Sequence, residues 1–200
     1  MRSIRAGLAR QTTRPKHFAA LPYAQVGSLL RQLAEVDTSG RLALRLLIFT
    51  ATRSGEVRNA TWEEIDLQKA LWTIPASRMK AKREHVVPLS DAAVAVLTIA
   101  DGLRRGVPGE PIFPGLRGNA LSDMTLAKVL RTAIGGDWTV HGFRSSFRDW
   151  AAECTAFPAE IAETALAHSP PDKVIAAYRR TDYQEKRRVM MQEWSRYLGL

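Results

Sequence analysis

Residues 42–66 read LALRLLIFTATRSGEVRNATWEEID, in which an apolar run gives way to a polar turn that contains a glycine. The run from Leu42 to Phe49 is apolar on most sides, which predicts a helix buried inside a core. The polar stretch behind it predicts a turn that leads into a short helix. Arg53 leaves the buried helix at this turn, and Glu56 follows three residues later, where it can hold the guanidinium in place. The alternative is a surface ion pair, which contributes little to stability.

The segments around this helix predict further helices and a small sheet. Before it, Val26, Leu29, Leu30 and Leu33 recur at helical spacing. After it, LWTI at 71–74 and HVVPL at 85–89 flank the charged segment MKAKRE, which predicts an antiparallel hairpin. The remainder predicts helices at DAAVAVLTIA, MTLAKVLRTAI, HGFRSSFRDWAAEC, PAEIAETALA and a last helix that Asp182 caps. The fold predicted is mostly α with a small antiparallel β-sheet (α+β).

The 200 residues suffice for one sizeable core. Residues 1–20 are basic and lack apolar periodicity, so we interpret them as a basic linker or lead, followed by one domain at 21–200. Lys plus Arg is 29 against 20 for Asp plus Glu, which makes the net charge +9 and the pI about 10.2. Such an excess favours an anionic partner, most often nucleic acid, although the alternative is a basic charge that only keeps the protein soluble.

Cys154 is the only cysteine, so the chain has no internal disulfide and no cysteine-based metal cluster. The sequence also shows no cluster of carboxylates or histidines at metal-ligand spacing, and we expect no metal and no cofactor. No apolar run reaches the length of a membrane span, and the first residues show no secretion signal. We therefore expect a cytoplasmic protein that associates with the chromosome.

Two further segments carry cationic side chains suited to chemistry. Lys80 lies in the predicted hairpin turn, where a lysine can project into a groove, and Lys82 is a less serious rival. The alternative for both is a solvated charged turn. His141 and Arg144 are three residues apart in a predicted helix, so the imidazole and the guanidinium share one face.

A histidine and a tyrosine follow near the C-terminus. His168 precedes Tyr178 by ten positions. A lone tyrosine is usually structural, because its ring is apolar and its hydroxyl favours water. Because the arginines, the lysine and the histidine described above precede this pair in the chain, we interpret Tyr178 as a candidate functional residue.

Six of these positions, in this order, resemble the signature of the tyrosine recombinase (phage integrase) family, closest to its prophage-integrase branch: Arg53, Lys80, His141, Arg144, His168 and Tyr178. The segments ATRSGEVRNATWEEID, RMKAKREHVVPLS, HGFRSSFRDWA and LAHSPPDKVIAAYRRTDY resemble its first-arginine, hairpin-lysine, His-x-x-Arg and histidine-to-tyrosine segments. Each motif alone is loose, but six positions in order are specific. The resemblance runs from about Pro22 to the C-terminus and implies the tyrosine recombinase catalytic-domain fold. Ala51 stands where such proteins often have glycine, and we expect the family's usual N-terminal DNA-binding domains to be absent.

The resemblance implies a site-specific DNA recombinase that integrates or excises a mobile element. Tyr178 would attack a phosphodiester and leave a 3′-phosphotyrosine with a free 5′-hydroxyl, which a second strand can reverse without ATP. Arg53 and Arg144 would clamp the non-bridging oxygens bidentately, which removes any need for a metal. Tyr183 is the rival nucleophile, at a spacing from His168 that fits the family less well.

The resemblance implies that the remaining groups transfer protons or orient the groups that do. A phenol with a pKa of about 10 needs a base or strong hydrogen bonding, for which His141 and His168 are the candidates. Lys80 would be the general acid that protonates the 5′-oxygen. Glu56 would orient Arg53 and assist His141.

The sequence leaves alternatives open for the assembly and for the function. We expect double-stranded DNA as partner, a homotetramer on DNA and a monomer in free solution. The last helix has an apolar stripe of Met190, Met191, Trp194 and Leu198. This stripe either packs on its own domain or, as we favour, docks onto a neighbouring protomer on DNA. The alternative functions are nicking and closing of the topoisomerase IB kind, and a non-catalytic DNA-binding remnant of a truncated integrase.

Overall fold

The computed structural model describes residues 19–168 and 182–199. Its helices are α1 (Tyr23–Leu33), α2 (Ser39–Thr50), α3 (Ser54–Arg58), α4 (Asp91–Asp101), α5 (Asp123–Ile134), α6 (Gly142–Cys154), α7 (Ala159–Ala165) and α8 (Gln184–Tyr197). A 3-10 turn at Trp62–Glu64 leads into the strands β1 (Ile65–Asp66), β2 (Leu71–Ile74) and β3 (His85–Pro88). The predicted mostly α fold with a small antiparallel sheet is confirmed. Among the described residues, no helix is long and apolar enough to span a bilayer.

Helix α2 lies at the centre of the core, as its apolar sequence predicts. The residues from Leu42 to Thr50 are all buried, and the helix packs against α1, α3, α4, α5 and α8. It begins at Ser39, earlier than predicted, because the Thr38 hydroxyl oxygen accepts a hydrogen bond from the Arg41 N–H at 3.3 Å. Because α2 is buried on all sides, packing fixes the position of its C-terminal end and of the turn that follows.

The sheet has the order β1-β2-β3 and is antiparallel throughout. Strands β2 and β3 form the predicted hairpin, with Leu71 opposite Pro88 and Ile74 opposite His85. Strand β1 was not predicted, because two residues are too few to show an alternating pattern and only their pairing with β2 defines them. Strand β3 contacts α8, which joins the sheet to the helical part of the domain.

Helix α8 packs on its own domain through the stripe formed by Met190, Met191, Trp194 and Leu198. Each of these four side chains is at most 2% exposed. The indole N–H of Trp194 donates to the Ile48 carbonyl of α2 at 2.9 Å, and the rings of Phe147 and Trp150 from α6 pack against it. The hypothesis that this stripe docks onto a neighbouring protomer is therefore wrong, because the core of the same chain already covers it.

The start of α8 also differs from the prediction. The helix begins at Gln184, and its N-cap is Tyr183, whose φ of 56° lies in the left-handed region. Asp182 is therefore not the N-cap, although its Oδ1 accepts a hydrogen bond from the Gln184 N–H at 3.2 Å. Arg187 is 1% exposed and joins Asp182 Oδ2 at 2.7 Å to the Val86 carbonyl of β3 at 2.6 Å. The residues directly after position 181 are thus tied to the sheet.

The chain ahead of α1 packs on the N-terminal end of α6. The Ala19 carbonyl accepts hydrogen bonds from the N–H and the hydroxyl of Thr139, at 3.0 and 3.1 Å. The Leu21 carbonyl accepts one from the Ser146 hydroxyl at 2.5 Å. Gly142 allows this approach, because a Cβ at that position would lie 2.5 Å from the Ala19 carbonyl oxygen.

Gly142→Ala should therefore lower the free energy of unfolding by about 1–3 kcal/mol, the usual effect of overpacking. The new methyl group meets backbone, at Ala19 and Ala20, and backbone cannot rotate away as a side chain can. Gly55→Ala is the matched control, since a Cβ at that helical glycine meets no atom within 4 Å. Urea unfolding of both variants measures the difference, and equal stabilities would show that residues 19–20 do not pack on α6 in solution.

Candidate active site

Arg144 is the central side chain of the candidate site. It lies in the first turn of α6 and is only 4% exposed. Its Nη1 donates to the Ala51 carbonyl at 2.6 Å, and its Nη2 donates to the Leu166 carbonyl at 2.5 Å. The same Nη2 lies 3.0 Å from His168 Nε2. One guanidinium thus joins the C-terminal ends of α2 and α7 to the second histidine.

Ala51 makes the carbonyl contact from a strained backbone conformation. It is the C-cap of α2, with φ 50° and ψ 26° in the left-handed region. For a residue with a Cβ this conformation costs about 1–2 kcal/mol, and glycine avoids the cost. The position that departs from the family pattern in sequence is thus a place where the backbone itself favours glycine.

Arg53 and Glu56 form the predicted pair. Glu56 Oε1 accepts a hydrogen bond from Arg53 Nη1 at 2.9 Å, and Oε2 accepts one from the Arg53 backbone N–H at 2.7 Å. Glu56 is 5% exposed, whereas 26% of the Arg53 side chain reaches solvent. The predicted contact between the acid and the arginine is therefore present. Arg53 keeps part of its guanidinium accessible to a ligand.

His141 lies immediately before α6, and the Arg144 N–H donates to its carbonyl at 3.2 Å. Its backbone is helical, with φ −65° and ψ −30°, so the predicted arrangement on one face with Arg144 holds. Partial burial of the ring, followed by the positive charges of Arg144 and Arg53, lowers the pKa of His141 below its usual value. The neutral imidazole, which can accept a proton, therefore prevails at neutral pH.

Burial and the charge of Arg53 likewise lower the pKa of Arg144, to about 10. Arg144 therefore stays cationic at neutral pH. The guanidinium groups of Arg53 and Arg144 raise the electrostatic potential in one place, and Glu56 and Glu163 offset only part of the effect on Arg144. Such a cluster favours an anion bound between the positive groups.

His168 follows α7 in a tight turn. The His168 N–H donates to the Glu163 carbonyl and the Ala167 N–H to the Thr164 carbonyl, both at 2.9 Å, with Ala167 at φ 50°. These two bonds make a Schellman motif, in which the sixth residue bonds back to the first. The histidine ring is 40% exposed, and its Nδ1 lies 2.6 Å from Glu163 Oε2.

Glu163 and Arg148 were missed by the sequence reasoning. Arg148 Nε pairs with Glu163 Oε1 at 2.7 Å. Arg148 lies four residues after Arg144 in α6, a helical spacing that could have pointed to it. Glu163 lies five residues before His168, a separation that no helical face accounts for and that only the turn after α7 brings together.

Lys80 is exposed in the turn between β2 and β3, next to the buried Met79, and Lys82 is exposed at φ 53°. Within residues 19–168 and 182–199, no hydrogen bond or ion pair joins Lys80 to the arginine–histidine group. The hairpin is nevertheless fastened to the site by Arg78, another residue that the sequence reasoning missed. Its guanidinium contacts the Glu64 carboxylate and the Glu56 carbonyl.

Tyr178 lies outside the described residues. Its rival Tyr183 is half-buried at the start of α8, where Lys186 Nζ lies 5.9 Å from its ring centroid. The structure thus brings together Arg53, Glu56, His141, Arg144 and His168. The described part of the chain contains no group of three or more His, Cys, Asp and Glu side chains arranged to hold a metal ion.

His85 is a half-buried titratable group on β3, close enough to Glu56 and Arg53 for their charges to affect its pKa. Its Nε2 lies 3.3 Å from the Ala165 carbonyl oxygen, so in the neutral ring this nitrogen carries the proton. Burial, together with the positive charge of Arg187, lowers the pKa of His85 to about 4. The neutral ring links β3 to the end of α7.

Stability should therefore fall with acidification in a way that depends on His85. The unfolded chain protonates this ring below about pH 6.5, whereas the folded protein does so only near pH 4. The contribution is fully present above pH 6.5 and is lost as the pH falls towards 4. Between pH 7 and 4 the free energy of unfolding should drop by about 2–3 kcal/mol more in the wild type than in His85→Gln. Urea unfolding at both pH values tests this, and parallel losses would contradict it.

Comparison with known proteins identifies relatives for nearly the whole chain. The model of the phage integrase family matches residues 20–185. Prophage integrase IntA of Escherichia coli (strain K12) is 36% identical over 198 residues, which cover 96% of this chain and 47% of IntA. The integrase of Enterobacteria phage P4 is 35% identical over 213 residues, which cover 96% of this chain and 48% of that protein. The chain thus spans about half the length of the curated relatives it matches.

Solved structures share the fold at lower identity. XerA recombinase matches with a TM-score of 0.64 and 17% identity, over 88% of this chain and 64% of that one. A lambda integrase tetramer bound to a Holliday junction matches with a TM-score of 0.61 and 19% identity, over 82% of this chain and 51% of that one. These structures show the fold, whereas the family match and the two integrases with 35% identity or more show the family. The chain belongs to the phage integrase family, the tyrosine recombinases, and lies close to the prophage integrases.

Proposed function

We propose that this chain is the catalytic domain of a site-specific DNA recombinase that integrates or excises a mobile element through a 3′-phosphotyrosine at Tyr178. The observation that carries the proposal is the pair of guanidinium groups on Arg53 and Arg144, close enough for the charge of one to lower the pKa of the other. Each is held by fixed acceptors, Arg53 by Glu56 and Arg144 by backbone carbonyls. Preorganised cations of this kind stabilise charge that develops on a phosphoryl group.

The scissile phosphate would bind between these two arginines. Arg53 presents its partly exposed side chain, and Arg144 can turn its Nη2 from His168 to a phosphate oxygen. A planar guanidinium binds two oxygens of a phosphate at once, which a lysine ammonium cannot do. Charge on the non-bridging oxygens would thus be neutralised by the protein's own side chains.

Proton transfer would involve three side chains around that phosphate. The phenol of Tyr178 must lose its proton as it attacks, and His141, with its lowered pKa, is a neutral base at physiological pH. His168 is the second candidate base. Lys80 would protonate the leaving 5′-oxygen, and its place in an exposed turn lets it reach into a groove of bound DNA.

Partners follow from the same proposal. We assign the catalytic domain to 21–200 and a basic linker to 1–20, with double-stranded DNA as substrate and the chromosome as the place of action. Lambda integrase is described as a dimer on a core site and as a tetramer on a Holliday junction, which supports DNA binding and assembly on DNA. A tetramer on DNA and a monomer in free solution are the states we propose.

Covalent capture tests the function. The 200-residue chain is incubated with a pool of duplexes that carry candidate attachment sequences and a nick near the cleavage point, so that the leaving fragment diffuses away. We expect adducts that survive detergent, and peptide mapping should place the DNA on Tyr178. Transfer of the captured strand to a second duplex separates recombination from nicking and closing alone. DNA binding without any adduct would overturn the proposal in favour of a DNA-binding remnant.

A further inference from the structure

We infer that Glu163 is a positioning residue that holds His168 in the tautomer with the proton on Nδ1 and the lone pair of Nε2 directed at the reaction centre. Arg148, in turn, holds Glu163. The inference rests on the proposed function for its chemical meaning, because it specifies how one candidate base for Tyr178 is prepared. The tautomer itself follows from the hydrogen-bond partners alone.

The two ring nitrogens of His168 face groups of opposite character. Nε2 lies 3.0 Å from Arg144 Nη2, which can only donate, so Nε2 must offer its lone pair. Nδ1 lies 2.6 Å from Glu163 Oε2, which can only accept as a carboxylate, so Nδ1 carries the hydrogen. Reversal of the tautomer would set two donors against each other at Nε2 and two lone pairs at Nδ1. Both contacts therefore select the same form.

The backbone fixes this arrangement a second time. The carbonyl of Glu163 accepts the His168 N–H at 2.9 Å, while the carboxylate of the same residue binds the ring. Main chain and side chain of the histidine are thus both attached to one residue of α7. The Schellman motif decides where the ring lies, and the carboxylate decides how the ring is turned.

Arg148 completes the arrangement by holding the carboxylate. Its Nε pairs with Glu163 Oε1 at 2.7 Å, which leaves Oε2 for His168. We call the series of contacts from Arg148 through Glu163 and His168 to Arg144 the relay. Arg148 and Arg144 lie one helical turn apart in α6, so one helix supplies the donor at each end of it. The order of contacts is Arg148, Glu163, His168 and Arg144.

This relay gives the reaction a defined path for one proton. When Arg144 Nη2 moves to a phosphate oxygen, the Nε2 lone pair becomes available to the phenol of Tyr178. The phenolic O–H bond breaks and an Nε2–H bond forms, while the tyrosine oxygen bonds to phosphorus and the 5′-oxygen leaves with a proton from Lys80. The imidazolium that results keeps its Nδ1–H on the Glu163 carboxylate, which stabilises its charge as in other histidine–carboxylate pairs.

Glu163→Gln separates this role from simple packing, because it keeps the size of the side chain. Arg148 can only donate, so it should take the amide oxygen and leave the amide NH₂ facing Nδ1. An amide N–H that faces Nδ1 would oppose the hydrogen that Nδ1 carries in the wild-type tautomer. The isosteric change should therefore disturb the ring while the fold persists.

Long-range ¹H–¹⁵N spectra of the histidine rings report the tautomer directly. The chain contains four histidines, and His168→Gln identifies the signals of this ring. We expect a protonated Nδ1 and a bare Nε2 in the wild type, and loss of this pattern in Glu163→Gln. Asp149→Asn is the control, since it removes an exposed carboxylate next to Arg148 and should leave the pattern unchanged. A wild-type ring protonated on Nε2, or a pattern unchanged by Glu163→Gln, would overturn the inference.

A double-mutant cycle tests the catalytic meaning. Glu163→Gln and His168→Gln should each slow adduct formation by about 10²-fold or more, the range for loss of a positioned base. The double variant should be no slower than His168→Gln, because Glu163 acts through that ring. Multiplicative losses would show that Glu163 acts elsewhere. Absence of adduct in the wild type would instead reject the proposed function, and the spectra would still decide the tautomer.

Discussion

Tyr178→Phe should form no covalent adduct with the nicked duplexes, while its affinity for DNA stays within about twofold of the wild type. The change removes the oxygen that would attack phosphorus in the proposed mechanism, and a phenyl ring has no nucleophilic atom to replace it. Affinity persists because most contacts with DNA are to phosphates and are made by cationic side chains. Gel analysis after denaturation measures the adduct, and a binding titration at fixed salt concentration measures affinity.

Tyr183→Phe is the matched control for this experiment. Tyr183 lies at the start of α8, and its ring is half-buried against the core. The variant should retain adduct formation, since the hydroxyl of Tyr183 is not the proposed nucleophile. An adduct that survives in Tyr178→Phe and disappears in Tyr183→Phe would transfer the role to the rival residue.

Arg144→Lys should slow adduct formation by about 10²–10³-fold, the usual loss when one preorganised donor is removed from a transition state. The guanidinium holds two carbonyls and a histidine nitrogen through two of its nitrogens, and one ammonium cannot reproduce that geometry. The variant should also lose about 1–3 kcal/mol of stability, because a buried carbonyl is left without its donor. Single-turnover kinetics on the nicked duplex and urea unfolding measure the two effects.

Arg131→Lys serves as the comparison, because Arg131 is exposed at the end of α5 and keeps its charge on substitution. It should form adducts at the wild-type rate. A similar rate for Arg144→Lys would show that positive charge alone is sufficient at that position. A bidentate clamp on the phosphate would then be excluded.

Local sequence signals predicted most of the fold correctly. The hairpin at 71–74 and 85–88 and the buried helix α2 both depend on residues close together in the chain. Strand β1 was not predicted because only its pairing with β2 defines it. The start of α8 was predicted wrongly because Tyr183 adopts a left-handed backbone conformation that residues with a side chain rarely take. Boundaries that depend on neighbours or on unusual backbone conformations are not visible in a periodic pattern.

Sequence spacing anticipated only some of the contacts in the candidate site. The pair Arg53–Glu56 lies within one helical turn, so spacing alone anticipated it. Arg78 immediately precedes the segment predicted as a charged turn, and no spacing in the sequence indicated that its guanidinium contacts the Glu56 carbonyl 22 residues away. A charge run in sequence does not reveal which of its members will turn inward.

Hydrophobic spacing was enough to indicate a mostly helical domain, and the order of six motif positions gave its resemblance to the tyrosine recombinase family, because these signals are local or additive along the chain. The tertiary structure was needed for the contacts that give the site its chemistry. Arg144 finds its acceptor 93 residues away in Ala51, Glu163 meets the ring of His168 through a turn, and the stripe of α8 is covered by α2 and α6. Hydrogen bonds and packing depend on direction and distance in space, and separation along the chain does not encode either of them.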